Sequence, residues 1–117
     1  MINLARVYEE KETGPGLRVL VDKLWPRGLS KTDLKVDKWA KEIAPSDDLR
    51  KWFAHDPAKW DEFKARYYAE LNHNPSTADF VELCKGKDVI FLYSSKEERF
   101  NNAVALKEYV QKRISDK

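Results

Sequence analysis

Residues 89–93 read VIFLY, an uninterrupted run of apolar side chains between Asp88 and the pair Ser94-Ser95. A strand with one face in water alternates apolar and polar residues, whereas a continuous apolar run is typical of a strand buried on both faces. Such a strand occurs in sheets that are covered by helices. The stretch therefore predicts an α/β fold.

Helical patterns lie on both sides of this strand. Downstream, apolar residues at helical spacing predict a last helix from about Asn101 to Ile114. Upstream, Asp56-Pro57 is a strong start signal, since Asp favours the N-cap and Pro the first helical position. The stripe that follows it contains Trp60, Phe63, Tyr67 and Leu71. Ser46 and Ser76 are further N-cap candidates, and the sequence thus predicts three helices between Ser46 and the strand.

Two more strands are predicted near the start of the chain, at Leu4 to Tyr8 and Leu17 to Asp22. Their connection is too short for a crossover helix, so the two strands would be antiparallel if they paired. Ser30 to Asp33 has the form of a capping box and favours a helix over Val36 to Ile43, although a fourth strand in that segment is the alternative.

Together these elements predict one α/β domain over residues 1–117. We expect a short, mostly parallel sheet of three to four strands, flanked by helices, with a helical insertion between the second and last strands.

Composition excludes several classes of protein. The chain has 22 Lys+Arg and 20 Asp+Glu, a net charge of +2, which argues against a general nucleic-acid binder. The single cysteine, Cys84, allows no internal disulfide, and we find neither a signal-peptide pattern nor an apolar run long enough to span a bilayer. We therefore expect a cytoplasmic protein without a membrane partner, and the oligomeric state stays open.

Polar residues follow both strong strands, and they define the predicted site. If these strands are parallel neighbours, their carboxyl ends share the edge at which open α/β sheets bind ligands. A guanidinium, hydroxyls, amides and a helix N-terminus suit a phosphate or carboxylate. The predicted ligand-binding residues are Asp22, Trp25, Arg27, Ser94, Ser95, Asn101 and Asn102.

The same residues have a structural interpretation, because Ser and Asn are also ordinary turn and cap residues. Asp22 is predicted to pair with Arg27 or Lys23 in preference to acting as an acid or base. Trp25 either stacks on a ligand or packs a corner. No catalytic residue is predicted.

Other kinds of site find little support. His55 and His73 flank one helix and are too far apart for a shared metal, so no metal is predicted. His55 is interpreted as a loop residue, with the cleft wall as the alternative. Cys84 is expected to be buried. No nucleophile elbow, dinucleotide fingerprint or P-loop is present, and no cofactor is predicted.

Three blocks of the sequence resemble the YeaO-like branch of a large bacterial family whose domain has no established function. The blocks are RVLVDKLWPRGLSK at 18–31, WAKEIAPSDDLRKWFAHDPAKWDEFKARYYAEL at 39–71 and NNAVALKEYV at 101–110. The resemblance implies an α/β domain in the cytoplasm of a bacterium or archaeon, without an accepted reaction.

The resemblance also has implications for the predicted ligand-binding residues. Longer relatives have an arginine-proline turn after the equivalent strand, which Pro26-Arg27 matches, and a Cys-His-Arg triplet near the start of the last helix. This chain has Asn101-Asn102 at the second place. Thiol chemistry would then be absent here, while an anion site at the helix start is compatible with the change.

The functional hypothesis is a protein that binds a small anionic or phosphorylated ligand at the carboxyl edge of the sheet, and whether it also acts on that ligand stays open. One alternative is a nucleic-acid-associated module, suggested by Lys and Arg among aromatics in RKWF and KARYY. The other is an interaction protein without a ligand.

Overall fold

All four strands of the sheet run in the same direction. The computed structural model describes residues 1–9 and 15–115. Its strands are β1 (Ile2–Arg6), β2 (Leu17–Leu20), β3 (Lys38–Trp39) and β4 (Val89–Tyr93), in the order β1-β4-β2-β3. Every residue of β4 is buried, as its continuous apolar sequence predicted.

The sequence did not predict which strands β1 and β2 pair with. β1 and β2 do not pair with each other, because β4 lies between them and is parallel to both. Ile2 and Leu17 both lie opposite Val89, so the two strands begin at the same edge of the sheet. Their carboxyl ends consequently meet at the opposite edge.

The helices agree closely with their start signals. They are α1 (Asp47–Phe53), α2 (Trp60–His73), α3 (Thr77–Cys84) and α4 (Asn102–Ser115). Ser46 Oγ accepts a hydrogen bond from Leu49 N, and Asp56 caps the 3₁₀ turn Pro57–Lys59 that leads into α2. Ser76 precedes α3 as predicted, but its side chain makes no capping bond.

The helix predicted over Val36 to Ile43 is wrong, and the strand alternative is correct. This segment forms β3 and the 3₁₀ turn Lys41–Ile43. Ser30 and Asp33 do exchange the two hydrogen bonds of a capping box, at 3.0 and 3.1 Å, yet they close a turn. The box satisfies its own backbone groups locally, and β3 forms because it pairs with β2.

The sheet separates two apolar layers. The larger layer lies between the sheet and the helices and includes Val19, Phe91, Phe63, Tyr67 and Leu106. The opposite face carries Leu20, Ile90 and Leu92, and the irregular segment 22–37 covers it through Trp25, Leu29, Leu34 and Val36. The small α/β fold with a helical insertion before the last strand is thus confirmed. Segment 22–37 begins at the carboxyl end of β2, beside the ends of β1 and β4.

Candidate functional site

An open cleft of about 770 Å³ lies at the carboxyl edge of the sheet. Residues that follow β1, β2 and β4 line it together with residues from α1, the turn after α1, and the start of α4. They are Arg6, Tyr8, Asp22, Lys23, Leu24, Trp25, Pro26, Arg27, Arg50, His55, Ser94, Ser95, Lys96 and Asn102. The location is the one at which open α/β sheets bind ligands.

The cleft floor, which we define as Asp22, Ser94 and Asn102, is a closed hydrogen-bond network. Asp22 Oδ2 accepts from Ser94 N at 2.9 Å and from Ser94 Oγ at 2.7 Å. Asp22 Oδ1 accepts from Asn102 Nδ2 at 3.0 Å, and the same amide donates to the Val21 carbonyl at 3.1 Å. The network ties the ends of β2 and β4 to the first residue of α4.

The predicted ion pair of Asp22 with Lys23 or Arg27 does not form. Lys23 Nζ lies 3.6 Å from Asp47 instead, and the Asp22 carboxylate takes the three bonds from Ser94 and Asn102. The structural role expected for Asp22 therefore holds with different partners. These partners lie 72 and 80 residues away along the chain, and local sequence carries no signal for such contacts.

The remaining predicted residues divide between packing and the cleft. Trp25 packs a corner, since its Nε1 donates to the Leu29 carbonyl at 2.6 Å and its ring meets Trp39 edge to face at 5.5 Å. Asn101 is 2% exposed and both ends of its amide are engaged, by the Glu97 carbonyl and by Val104 N. Asn101 is thus the N-cap of α4.

The cleft rim, defined as Arg27 and Lys96, carries exposed cations. Among the described residues, no carboxylate lies within ion-pairing distance of either side chain. The backbone of Arg27 is held in place, because its carbonyl accepts from Tyr8 Oη at 2.7 Å. The rim therefore presents charge from a fixed backbone.

Two more cations of the cleft share one carboxylate. Asp47 Oδ1 lies 2.9 Å from Arg50 and 3.6 Å from Lys23. The hydrogen bond from Arg50 and the charge of Lys23 lower the pKa of Asp47 below its usual value. Asp47 thus neutralises part of the positive field on this side of the cleft.

His55 reaches the cleft through an uncommon backbone conformation. Ala54 and His55 have φ angles of +48° and +58°, consecutive left-handed residues of which neither is glycine. Each such residue costs on the order of 1–2 kcal/mol. The turn brings His55 Nδ1 to 3.5 Å from Ser95 Oγ. His55 is thus a loop residue, as interpreted from the sequence, and it also lies in the cleft wall.

Ser95 is held by two hydrogen bonds. Its carbonyl accepts from Arg6 Nε at 2.8 Å, and its hydroxyl oxygen accepts from Glu97 N at 3.1 Å. The hydroxyl hydrogen is then directed away from Glu97 N, towards His55 or the cleft.

Cys84 lies in the core, away from the cleft lining. Burial raises the pKa of its thiol to about 11, so the thiol stays protonated at neutral pH. Within residues 1–9 and 15–115, no group of three or more His, Cys, Asp or Glu side chains is arranged to hold a metal ion. In the same ranges, no helix combines the length and apolarity needed to cross a membrane.

Comparison with known protein families assigns the chain to a family. The model of a family described as the inactive subclade of DUF488-N3 matches residues 1–117. The chain belongs to this family, and the YeaO-like resemblance seen in its three sequence blocks is confirmed.

Curated relatives support the same assignment. The uncharacterized protein YeaO of Escherichia coli is 40% identical over 111 residues, which cover 94% of this chain and 96% of the relative. Uncharacterized proteins of Mycobacterium bovis and Mycobacterium tuberculosis are 43% identical over 89 residues, covering 76% of this chain and 75% of theirs. No solved structure matches the chain.

Sequence reasoning missed several residues of the cleft. Arg6 and Tyr8 end or follow β1, so the rule that found Asp22 and Ser94 at strand ends would have found them as well. Lys96 comes two residues after Ser94 and was open to the same argument. Arg50 had no such signal, because only the packing of α1 brings it to the cleft.

Proposed function

We propose that this protein binds a small anionic ligand, a phosphate ester or a carboxylate, in the cleft at the carboxyl edge of its sheet. The observation that carries the proposal is the charge of the cleft lining. It contains five cationic side chains and one carboxylate, Asp22. The three hydrogen bonds to Asp22 stabilise its charged form, and the five cations of the lining still outnumber this one carboxylate.

The fixed geometry of the rim supports the same function. Arg27 offers a planar fork of donors suited to two oxygens of one phosphate or carboxylate, and Lys96 adds a point charge. Neither cation is neutralised by a carboxylate in the described part of the chain. A ligand anion would therefore not need to displace an existing ion pair of the rim.

We propose binding without turnover. The matching subclade is described as inactive. The thiol of Cys84 is buried and held protonated, and Ser94 Oγ donates its hydrogen to Asp22. These features withhold two of the common nucleophiles from the ligand.

The nucleic-acid alternative loses its main motivation. Arg66 lies over Trp52 at 4.3 Å and Lys59 lies over the same ring at 5.1 Å. Lys64 lies over Trp60 at 5.4 Å. Cations of the chain itself thus occupy the indole faces on which bases would stack.

For the cellular location we propose the cytoplasm. The single, buried, unpaired Cys84 supports a reducing compartment, in which structural disulfides are rare.

A thermal-shift screen of nucleotides, sugar phosphates and carboxylic acids tests the binding proposal. A ligand at 100 times its Kd adds roughly 2.7 kcal/mol to stability and should raise the melting temperature by several degrees. We expect Arg27→Ala and Lys96→Ala to lose most of this shift. Arg99→Ala is the matched control, since Arg99 lies on the same loop as Lys96 but outside the cleft lining.

The controls separate a site from a general field. An equal loss in all three variants would indicate only non-specific attraction to positive charge. If no compound stabilises the wild-type protein, the proposal is wrong.

A further inference from the structure

A second, smaller recess of about 130 Å³ adjoins the cleft. The two cavities share Arg50, His55 and Asn102 in their walls. Whereas the cleft is rich in charge, the recess has a mostly apolar wall to which Phe53, Phe63 and Pro45 contribute.

The apolar wall is aromatic and rigid. Phe53 and Phe63 are 4% and 1% exposed, and their rings stack with centroids 4.2 Å apart. The imidazole of His55 lies 6.4 Å from the Phe53 ring at an angle of 54°. Aromatic rings favour such offset and tilted neighbours, so this wall suits another flat ring.

The size of the recess limits what it can hold. An engineered protein cavity of about 150 Å³ binds benzene. The recess here is slightly smaller and open on the side of the cleft, so a single six-membered ring is the largest group that it accepts.

The backbone between the cleft and the recess adopts an uncommon conformation. Ala54 and His55 are both held in the left-handed region, and this turn places His55 in the walls of both cavities. Strained conformations of this kind persist where the surroundings determine them, and they cluster at ligand sites.

We infer that the recess is a specificity subsite, and that the ligand class is an anion, phosphate ester or carboxylate, that carries one aromatic or similarly compact apolar ring beside its charged group. The inference rests on the proposed function. The anionic group lies in the cleft with the rim cations, and the ring lies against Phe53, Phe63 and His55 in the adjoining recess.

Phenyl phosphate and methyl phosphate test the inference, because they carry the same charged group and differ in the ring. We expect phenyl phosphate to bind the full chain about tenfold more tightly in calorimetric titrations, as burial of one ring predicts. Nuclear Overhauser effects should connect the phenyl protons with the rings of Phe53 and Phe63.

A pair of variants at Lys51 locates the ring. Lys51 is exposed on α1 and lines the recess but not the cleft. Lys51→Trp places an indole across the recess and should abolish the preference for phenyl phosphate. Lys51→Ala removes the same charge without bulk and should retain the preference.

The outcomes separate the two proposals. Equal affinity for both esters, a preference that persists in Lys51→Trp, or Overhauser effects only to other residues would overturn the subsite and leave anion binding intact. Absence of binding by either ester would overturn both.

Discussion

The cleft floor and the cleft rim are both polar, but they use their polar groups in opposite ways. In the floor, the carboxylate of Asp22 accepts three hydrogen bonds from Ser94 and Asn102. In the rim, Arg27 and Lys96 have exposed side chains without a carboxylate partner among the described residues. The difference teaches that polar residues at strand ends can stabilise the edge through hydrogen bonds to one another, while the cations of the rim keep their side chains free of carboxylate partners in the described ranges.

Removal of the Asp22 carboxylate should have the largest effect. Asp22→Ala leaves a backbone N–H, a hydroxyl and an amide of the half-buried floor without their acceptor, and we expect a loss of about 2–3 kcal/mol in the free energy of unfolding. Urea denaturation followed by tryptophan fluorescence measures it. Asp22→Asn retains one acceptor oxygen and should lose less.

The comparison would fail if Asp22→Ala unfolded at the same urea concentration as the wild type. That result would mean that water replaces the network at no cost, and the floor would then have to be counted among the ligand-binding groups.

The left-handed turn at Ala54 and His55, between the cleft and the recess, should respond to relief of strain. Ala54→Gly removes the Cβ that disfavours φ of +48°, worth about 1–2 kcal/mol, against an unfolded-state entropy cost of about 0.4–1 kcal/mol. We expect a net gain of about 0.5–1 kcal/mol in the free energy of unfolding, measured by the same urea titration. Ala69→Gly, at an exposed position within α2, is the control and should lose about 1 kcal/mol.

A destabilised Ala54→Gly variant would show that the left-handed turn is not strained in the folded chain. The backbone at His55 would then give no support to a ligand site.

Removal of the charge of Asp47, the carboxylate that Lys23 and Arg50 share, should strengthen the binding of an anion. Asp47→Asn frees both Lys23 and Arg50, and we expect the affinity for an anionic ligand to rise about threefold, since charge-assisted contacts then go to the ligand. Calorimetric titration at low salt measures the change. Asp48→Asn in the same helical turn is the control, because no cation of the described chain pairs with Asp48.

A rise of equal size in both variants would assign the effect to net charge. Unchanged affinity in Asp47→Asn would indicate that the anion lies away from Lys23 and Arg50.

The sequence predicted the features that depend on local contacts and missed those that depend on long-range contacts. The run at 89–93 and the caps at Ser46 and Asp56 act within a few residues, and they gave the buried strand and the helix starts correctly. The segment from Val36 to Ile43 was misread as a helix, because a capping box is a local signal and β3 depends on pairing with β2.

The site shows the same limit. Strand ends indicated where the cleft lies, so Asp22, Arg27 and Ser94 were found. Which of them bond to each other was not predictable, because Asp22 and its partners are more than 70 residues apart. Arg50 and His55 line the cleft because of where α1 packs, and no sequence motif near them predicts that packing.

The smallest effect is expected at a third polar cluster that resembles the floor but is exposed. Ser30 N donates to the Asp33 carboxylate at 3.0 Å, and Ser30 Oγ accepts from Asp33 N at 3.1 Å. Hydrogen bonding with Ser30, above all from its backbone N–H, lowers the pKa of Asp33 below its usual 3.8. A carboxyl whose pKa is lower in the folded state adds stability above its unfolded pKa and loses it as the pH falls through the folded value. Asp33→Ala should therefore be slightly less stable than wild type near neutral pH, and the two proteins should converge as the pH falls through the lowered pKa of Asp33. Melting temperatures across this range measure the difference, and Lys31→Ala in the same turn is the control.

A gap that persisted at acid pH would show that Asp33 acts through packing and not through its charge. A loss at neutral pH as large as that of Asp22→Ala would remove the distinction between a half-buried network and an exposed one, on which the division into floor and rim depends.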